Sequence, residues 1–256
     1  MARRKEAGTL TLGIMSVALI GGLALPAQAT ELELGGTATF TTDYIFRGIS
    51  NTNQNPAVQA SLDATYGIFY AGIWGSNVDF GGSVPPGPVG IDLATVEIDY
   101  YAGITPEWQG ISFDFAVLYY TYPGAYDPGG DFNYVEFKTG ASYTFGDAFT
   151  VGVANWWSPE YFGEIGDGNA TEGSLEYAFS NKLFNFFTPS VSGLIGYQWF
   201  DAGGSYTYWN AGLTLGFMDN FSADIRYWDT DLSAAGCGGS INNCDSRVVG
   251  TISASF

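Results

Sequence analysis

The chain has 256 residues, 8 Lys+Arg against 26 Asp+Glu, no histidine and two cysteines, for a formal net charge of −18. That acidity excludes a phosphate-neutralising surface, so no nucleic-acid partner is expected; the missing histidine removes Ser-His-Asp triads, Cys-His pairs and His-ligated zinc, and two cysteines cannot build a four-thiolate site. A content of 46% hydrophobic residues argues against disorder, and 36 glycines with only 13% charged residues point to a turn-rich β protein.

Residues 1–29 read as a secretory signal peptide. Arg3, Arg4 and Lys5 are followed by an apolar run from Leu10 to Leu25 and then by Pro26-Ala27-Gln28-Ala29, a small-x-small cleavage site. A membrane anchor is the alternative, but the run falls short of the roughly 20 apolar residues a span needs. Lys5-Glu6-Ala7-Gly8 after the arginine pair fits the twin-arginine route poorly. Cleavage after Ala29 leaves residues 30–256 as one domain of 227 residues. It removes Arg3, Arg4, Lys5 and Glu6, so 5 basic groups face 25 acidic ones, a charge of about −20.

Period-two alternation dominates the mature chain, and that is the strand period. Val58, Ala60, Leu62, Ala64 and Tyr66 alternate with Gln59, Ser61, Asp63 and Thr65. Val96, Ile98, Tyr100 and Ala102 alternate with Glu97, Asp99 and Tyr101. Ile111, Phe113, Phe115, Val117 and Tyr119 share one face opposite Asp114, and Val135, Phe137, Ala141, Tyr143 and Phe145 lie opposite Glu136 and Lys138. Leu175, Tyr177 and Phe179 alternate with Ser174 and Glu176; Phe221, Ala223, Ile225 and Tyr227 with Asp224 and Arg226; Val248, Ile252 and Phe256 with Arg247, Thr251 and Ser255. Less clean strands fit residues 36–47, 67–79, 148–157, 187–200 and 205–217. The total is about twelve, each of a length that suits a tilted membrane strand of about 9–11 residues.

The connections alternate between short turns, such as Gly146-Asp147, Asn181-Lys182 and Asp219-Asn220, and longer segments rich in Gly, Pro, Asn and Asp. The longer ones include Gly48 to Pro56, Gly81 to Gly90 with its stiff Pro85-Pro86-Gly87-Pro88, and Thr230 to Asp245. Strict alternation sends every long loop to one end. Aromatics gather near both ends: Phe145, Phe149, Phe179, Phe217 and Phe256 beside short turns, and Tyr44, Phe46, Tyr119, Trp156, Trp157, Trp199, Tyr208 and Tyr227 beside long loops. Two such bands are what two membrane interfaces select. The expected fold is therefore all-β, a transmembrane antiparallel up-and-down β-barrel; a soluble sandwich would hold its aromatics at strand centres.

Lipid does not hydrate charge, so the alternation sends the ionised face inward. The expected pore lining is Asp43, Arg47, Asp63, Glu97, Asp99, Asp114, Glu136, Lys138, Glu176, Asp224, Arg226 and Arg247, with Asp43 and Arg47 near the external rim. Acids outnumber bases there, which favours a water-containing passage with a negative field for cations. The alternative is a barrel sealed by ion-pair ladders such as Glu136/Lys138 and Asp224/Arg226. Cys237 and Cys244, in the last long loop, are expected to form a disulfide in an oxidising envelope. Acidic pairs in the loops (Asp127 and Asp131, Glu164 and Asp167, Asp229 and Asp231) match no ordered calcium-loop motif and read as solvated faces. No phosphate-loop or nucleophile motif is present, and neither catalytic residues, a metal nor a cofactor is expected.

Thr42-Asp43-Tyr44-Ile45-Phe46-Arg47-Gly48-Ile49-Ser50, together with Asp99-Tyr100-Tyr101-Ala102-Gly103 and the terminal Phe256, resembles the TorF-type family of outer-membrane porins, formerly an uncharacterised family of Gram-negative envelope proteins. The resemblance spans essentially the whole mature chain. It implies a barrel in the outer membrane, surrounded by outer-membrane lipid, with a porin role. Phe256 looks like the signal read by barrel-insertion machinery. The expected function is a passive channel for small hydrophilic solutes with mild cation preference; the alternative is a non-conducting barrel that acts structurally or adhesively through its external loops.

Overall fold

The computed structural model describes residues 29–81, 93–127, 130–237 and 241–256. The expected signal segment up to residue 28 and the Pro85–Pro88 stretch lie outside them. Twelve long strands run in chain order: β1 (Ala29–Thr41), β2 (Ala57–Gly67), β3 (Phe69–Asn77), β4 (Val96–Ile104), β5 (Ile111–Thr121), β6 (Tyr134–Phe145), β7 (Phe149–Ser158), β8 (Gly168–Ala178), β9 (Thr188–Phe200), β10 (Ser205–Phe217), β11 (Phe221–Thr230) and β12 (Arg247–Ser255). Each pairs antiparallel with its neighbours in sequence, and β1 pairs with β12, so the sheet is a closed up-and-down barrel.

Closure is made at the chain's end. Thr37 to Thr41 pair with Ser255 to Thr251, and Gly36 and Phe256 exchange backbone hydrogen bonds of 2.9 and 3.1 Å. A Cβ on Gly36 would fall 2.6 Å from the Ser61 carbonyl oxygen and 3.0 Å from the Phe256 ring, so the seam needs glycine there. Among the described residues each of the twelve long strands is paired on both sides, so the barrel wall offers no long edge to recruit other chains.

The walls follow the alternation. On the outside, Val58, Leu62, Val153, Ile195, Ile225 and Ile252 are all more than half exposed. An apolar wall of this extent is unstable against water and suits acyl chains. On the inside, Gln59, Glu97, Asp99, Glu136 and Gln198 are buried.

Turns of two or three residues close β2–β3, β6–β7 and β10–β11, with Gly67 and Gly146 in the left-handed region. The alternation of loop lengths is looser than expected. The connection near Asn181-Lys182 spans residues 179–187 and carries a Leu183/Phe187 bridge, whereas the β9–β10 connection on the opposite end has only residues 201–204. Cys237 and Cys244 are joined as a disulfide, Cα–Cα 6.1 Å.

The largest correction concerns the expected strand 36–47. It ends at Thr41, and residues 43–52 turn into the barrel, while Thr42 and residues 53–56 stay exposed. There Ile45–Phe46 pairs with Ile49–Ser50 as a small inner hairpin. Four aromatics assigned to the outer band point inward for related reasons. Tyr44, Trp156 and Tyr208 are at most 1% exposed, and Phe46 packs against the same core. Trp156 and Trp157 are neighbours in one strand, so only one of them can face out, and that one is Trp157.

Placing Arg at Ile225, midway along β11 on the outer wall, should cost about 2–4 kcal/mol in lipid vesicles. Urea unfolding monitored by Trp fluorescence checks this; Thr214→Ala, on the inner wall of the neighbouring strand, should cost less.

Candidate functional site

The inner hairpin spans the lumen, and each of its side chains reaches a different wall. Phe46-Arg47-Gly48-Ile49 forms a tight turn with φ of 48° at Arg47 and 83° at Gly48, the signature of a two-residue hairpin with both central residues left-handed. Gly48 is also fixed by space, because a Cβ would lie 2.4 Å from Thr230 Cγ2 and 2.9 Å from Tyr208 Cβ. Tyr44 packs edge-on to Trp74 of β3 and donates to Glu97 Oε1 of β4 at 2.9 Å. Ile45 is buried with Trp228 and Val249 of β11 and β12. Phe46 lies against Tyr120 of β5.

Arg47 reaches furthest. Its guanidinium binds Glu136 of β6 through two parallel bonds of 2.7 and 2.8 Å and donates to Gln198 Oε1 of β9 at 3.1 Å. The forked pairing is the strong form of an Arg–carboxylate contact. Tyr120 Oη adds a bond to Glu136 at 3.0 Å. The guanidinium also stacks over the Phe46 ring at 4.7 Å. Burial opposes its charge, but the Glu136 carboxylate together with the neighbouring Tyr161 and Tyr208 holds its pKa above the ordinary value. Asp43 staples the base of the hairpin, accepting from Ser50 and Thr52 hydroxyls at 2.6 and 2.9 Å and from Arg247 at 2.8 Å. Above the hairpin, Phe80, Tyr122, Phe132, Tyr161 and Phe162 from three loops form a roof of packed rings, with Phe132 and Phe162 stacked at 4.5 Å. Burial pushes the Tyr161 phenol up to about 12 and raises Tyr44 as well, the latter with help from Glu97.

The expected lining residues fall into three groups. Those in ion pairs are Arg47 with Glu136, Lys138 with Asp114 at 2.5 Å, Arg226 with Asp224 at 3.1 Å and Arg247 with Asp43. Arg226 also binds Asn210 and Ser192, at 2.7 and 2.9 Å. The Asp224/Arg226 ladder therefore forms, but the Glu136/Lys138 ladder does not. Arg47 takes Glu136 with its planar fork, and Lys138 turns to Asp114 on the adjacent strand. Arg47 is buried inside the lumen, and its partners Glu136 and Gln198 each lie two residues from the loop-facing end of their strands. In the second group, Asp63 accepts from Ser61 and from the Tyr101 hydroxyl, and Glu176 lies half-buried on the inner wall. In the third, Glu97 and Asp99 are fully buried beside Tyr44.

Some residues of the site were not anticipated. Glu172 accepts from Tyr208 Oη at 2.6 Å and from Trp156 Nε1 at 3.3 Å. It lies four residues before Glu176 on the same face, so extending that alternation by one step would have found it. Gln59 and Gln198 are inward by the same parity, but neutral residues draw no attention in a charge-based reading.

The two ends of the lumen differ. Toward the long loops it is packed solid, with Tyr44, Tyr120, Trp156, Tyr208 and Gln198 all at most 1% exposed. A small cavity, on the scale of roughly one water, remains beside the hairpin among Thr41, Gln59, Arg226 and Thr251. Toward the short turns, Ser112 and Ser174 are exposed on the inner wall, and Asp63, Asp114 and Glu176 are half-buried. The interior is thus a cup, open at the short-turn end and stoppered at the loop end.

A closed antiparallel barrel with a polar interior and a stoppered mouth is a porin-type barrel. The chain belongs to the Gcw_chp family, described as bacterial protein of unknown function, whose model matches residues 27–256. The match does not confirm the TorF-type name expected from the Thr42–Ser50 segment. No curated protein matches the sequence. Among solved structures the chain is similar to the KdgM porin, with 8% identity, TM-score 0.56 and coverage of 87% of this chain and 99% of that one. That porin in complex with disordered oligogalacturonate gives 8% identity, 0.54, 87% and 98%. The NanC porin gives 11% identity, 0.50, 88% and 99%. Likeness at such identity establishes the fold.

Arg47→Met would leave Glu136 buried and without its cation, at a cost of about 3–5 kcal/mol. Adding Glu136→Leu should recover most of that loss. Unfolding midpoints of the two variants, measured in the same lipid, check the coupling.

Proposed function

We propose that the protein is an outer-membrane channel of the porin type in a Gram-negative cell, exported through its signal peptide and passing small hydrophilic solutes passively with mild cation preference. The observation that carries this reading is the solvent-accessible cup, whose carboxylates outnumber its cations. Asp63, Asp114, Glu176 and Asp224 set its field, Lys138 and Arg226 temper it, and Arg47, Glu136, Asp43 and Arg247 form the stopper at its far end. The stopper is held by ion pairs and ring contacts, not by sheet continuity, so it can leave without opening the barrel. Oligogalacturonate, with which the KdgM porin was solved, is a polyanion. An interior with excess carboxylate repels such a solute and suits neutral or cationic ones. The other expected partners are outer-membrane lipid along the apolar wall and insertion machinery at Phe256.

The tight packing of the loop end supports a second reading, a non-conducting barrel that acts through its external loops. Planar-bilayer recording separates the two. The wild-type chain should show low or intermittent conductance, and Arg47→Ala/Glu136→Ala should raise it severalfold, with reversal potentials in a salt gradient that report cation preference. Silence in both proteins would leave the non-conducting barrel, and anion preference would overturn the charge argument.

A further inference from the structure

The connection from β8 to β9, residues 179–187, carries a miniature hairpin at the short-turn end of the barrel. Leu183 and Phe187 exchange backbone hydrogen bonds of 2.8 and 3.0 Å, and the two residues at its tip, Phe184 and Asn185, are left-handed, with φ of 52° and 56°. Turns of this kind take glycine, asparagine or aspartate, because a bulky side chain crowds the backbone there. Asn185 obeys the rule and Phe184 breaks it. Phe184 is also 83% exposed, so packing within the barrel does not offset the strain. The adjacent β10–β11 turn repeats the pattern, with Met218 at φ 51° and 65% exposed. Among the described non-glycine residues with positive φ, Phe184 and Met218 are the apolar ones.

Rings join the two turns on the outside of the barrel. Phe186 and Phe187 pack on Phe217 at 6.1 and 5.9 Å, and Phe217 packs on Phe221 at 5.7 Å. Phe217 and Phe221 share the outward parity of Leu213 and Ile225. The hairpin therefore leans over the outer wall, where it carries the apolar surface past the strand ends, and not across the mouth of the cup. Charge also sets it apart. Arg47, Lys138, Arg226 and Arg247 pair with lumen carboxylates, whereas Lys182, at the base of the hairpin, is exposed and in no ion pair among the described residues. Residues 179–187 contain no acid, while other turns at the same end carry Glu107, Asp147 and Asp219. On a chain of net charge −18 this is a cation set in an apolar patch. A lysine there lays its stem along apolar surface and extends its ammonium to a polar layer.

We infer that this hairpin is a lipid-anchoring foot. Leu183, Phe184 and Phe186, with Met218 beside them, enter the acyl chains of the leaflet at the short-turn end, and Lys182 Nζ binds the phosphate of an anionic phospholipid. The foot presupposes the membrane barrel proposed above. It differs from the lipid contact of the wall, because a turn beyond the strand ends otherwise stands in water. Insertion takes the exposed ring of Phe184 out of water, and the left-handed backbone is the local strain that presents it. The anionic headgroup meets the one basic side chain that the lumen does not engage.

Cys237 and Cys244 are bonded to each other, so a single introduced cysteine alone takes a fluorophore. Phe184→Cys, Ile225→Cys on the outer wall and Asp147→Cys on the β6–β7 turn are labelled in the full mature chain. Each is folded into mixed phosphatidylcholine–phosphatidylglycerol vesicles with acrylamide on both sides of the membrane. Emission from position 184 that acyl-chain nitroxide lipid quenches as strongly as that from 225, and that is shielded from the acrylamide quenching 147, supports the foot. Emission from 184 open to acrylamide, while lipid quenches 225, overturns it, leaves the barrel standing and favours a soluble partner for the exposed rings. Acrylamide reaching 225 overturns the membrane barrel and the foot together. Moving the nitroxide from phosphatidylcholine to phosphatidylglycerol tests the phosphate contact. Position 184 should prefer phosphatidylglycerol about fivefold more than position 225 does, the scale of one lysine at an anionic surface, and Lys182→Gln should abolish the difference. Equal preference at the two positions, or a difference that survives Lys182→Gln, refutes the contact. If Phe184→Cys fails to fold, Leu183→Cys on the same hairpin is read in its place with the same outcomes.

Discussion

A sheet closed on itself and surrounded by hydrocarbon can place ionised groups only in its own interior, and a narrow interior can hold them only in company. Both halves of this constraint are visible. The outer faces of β2, β5, β7 and β12 carry no formal charge and that of β11 carries none before Asp229 at its loop end, and every Arg in the described mature chain has a carboxylate or carbonyl partner. Inward charge follows from the location of the wall. Pairing follows from the low dielectric and scarce water of the loop end, where an unpaired ion would be costly.

The inner hairpin is a direct consequence. Glu136 projects from β6 into space too confined for hydration, and Lys138, two residues along, is drawn away by Asp114. The missing cation arrives from a loop. Arg47 is carried to Glu136 by a turn whose geometry demands Gly48, while Asp43 anchors the loop's origin to β12. Tyr44, Ile45, Phe46 and Arg47 contact different walls, so the segment is held around its circumference. That explains why one short stretch combines a carboxylate, two aromatics, an arginine and a glycine: each residue satisfies a separate wall.

The barrel was legible in the sequence because the solvents on its two sides impose opposite demands on alternate residues. Each clean alternation fixes which side chains face in, without knowledge of the partner strand. The hairpin was not legible. Tyr44-Ile45-Phe46 is a short apolar run of the kind a buried strand also presents, and a two-residue ladder is too short to alter the pattern. The bond from Arg47 to Glu136 joins positions 89 apart, and no local signature announces it. The Trp156/Trp157 pair shows the remaining gap. Parity says that one ring faces out, but only the phase of β7 against β6 and β8 says which, and the glycines of β7 and β8 weaken that phase in the sequence. Glu172 was missed for a like reason, since Gly173 interrupts the apolar face just where the alternation begins.

The asymmetry of the interior follows from where the bulky groups lie. Toward the short turns the inner wall alternates Ser112, Ser142, Gly152, Ser174 and Ser192 with the acids, and small residues leave room for water. Toward the loops, Trp74, Tyr120, Trp156, Tyr208 and Trp228 take the corresponding positions, and the hairpin fills what they leave. In the cup an extra carboxylate can be hydrated, so Glu176 needs no ion pair. At the stoppered end it cannot be, and there Glu136 has Arg47, Asp43 has Arg247, and Glu172 has the Tyr208 hydroxyl and the Trp156 ring N–H. Glu97 and Asp99, also in the packed half, meet the same demand without a cation: Glu97 accepts from the Tyr44 hydroxyl, and the two carboxyls bond each other.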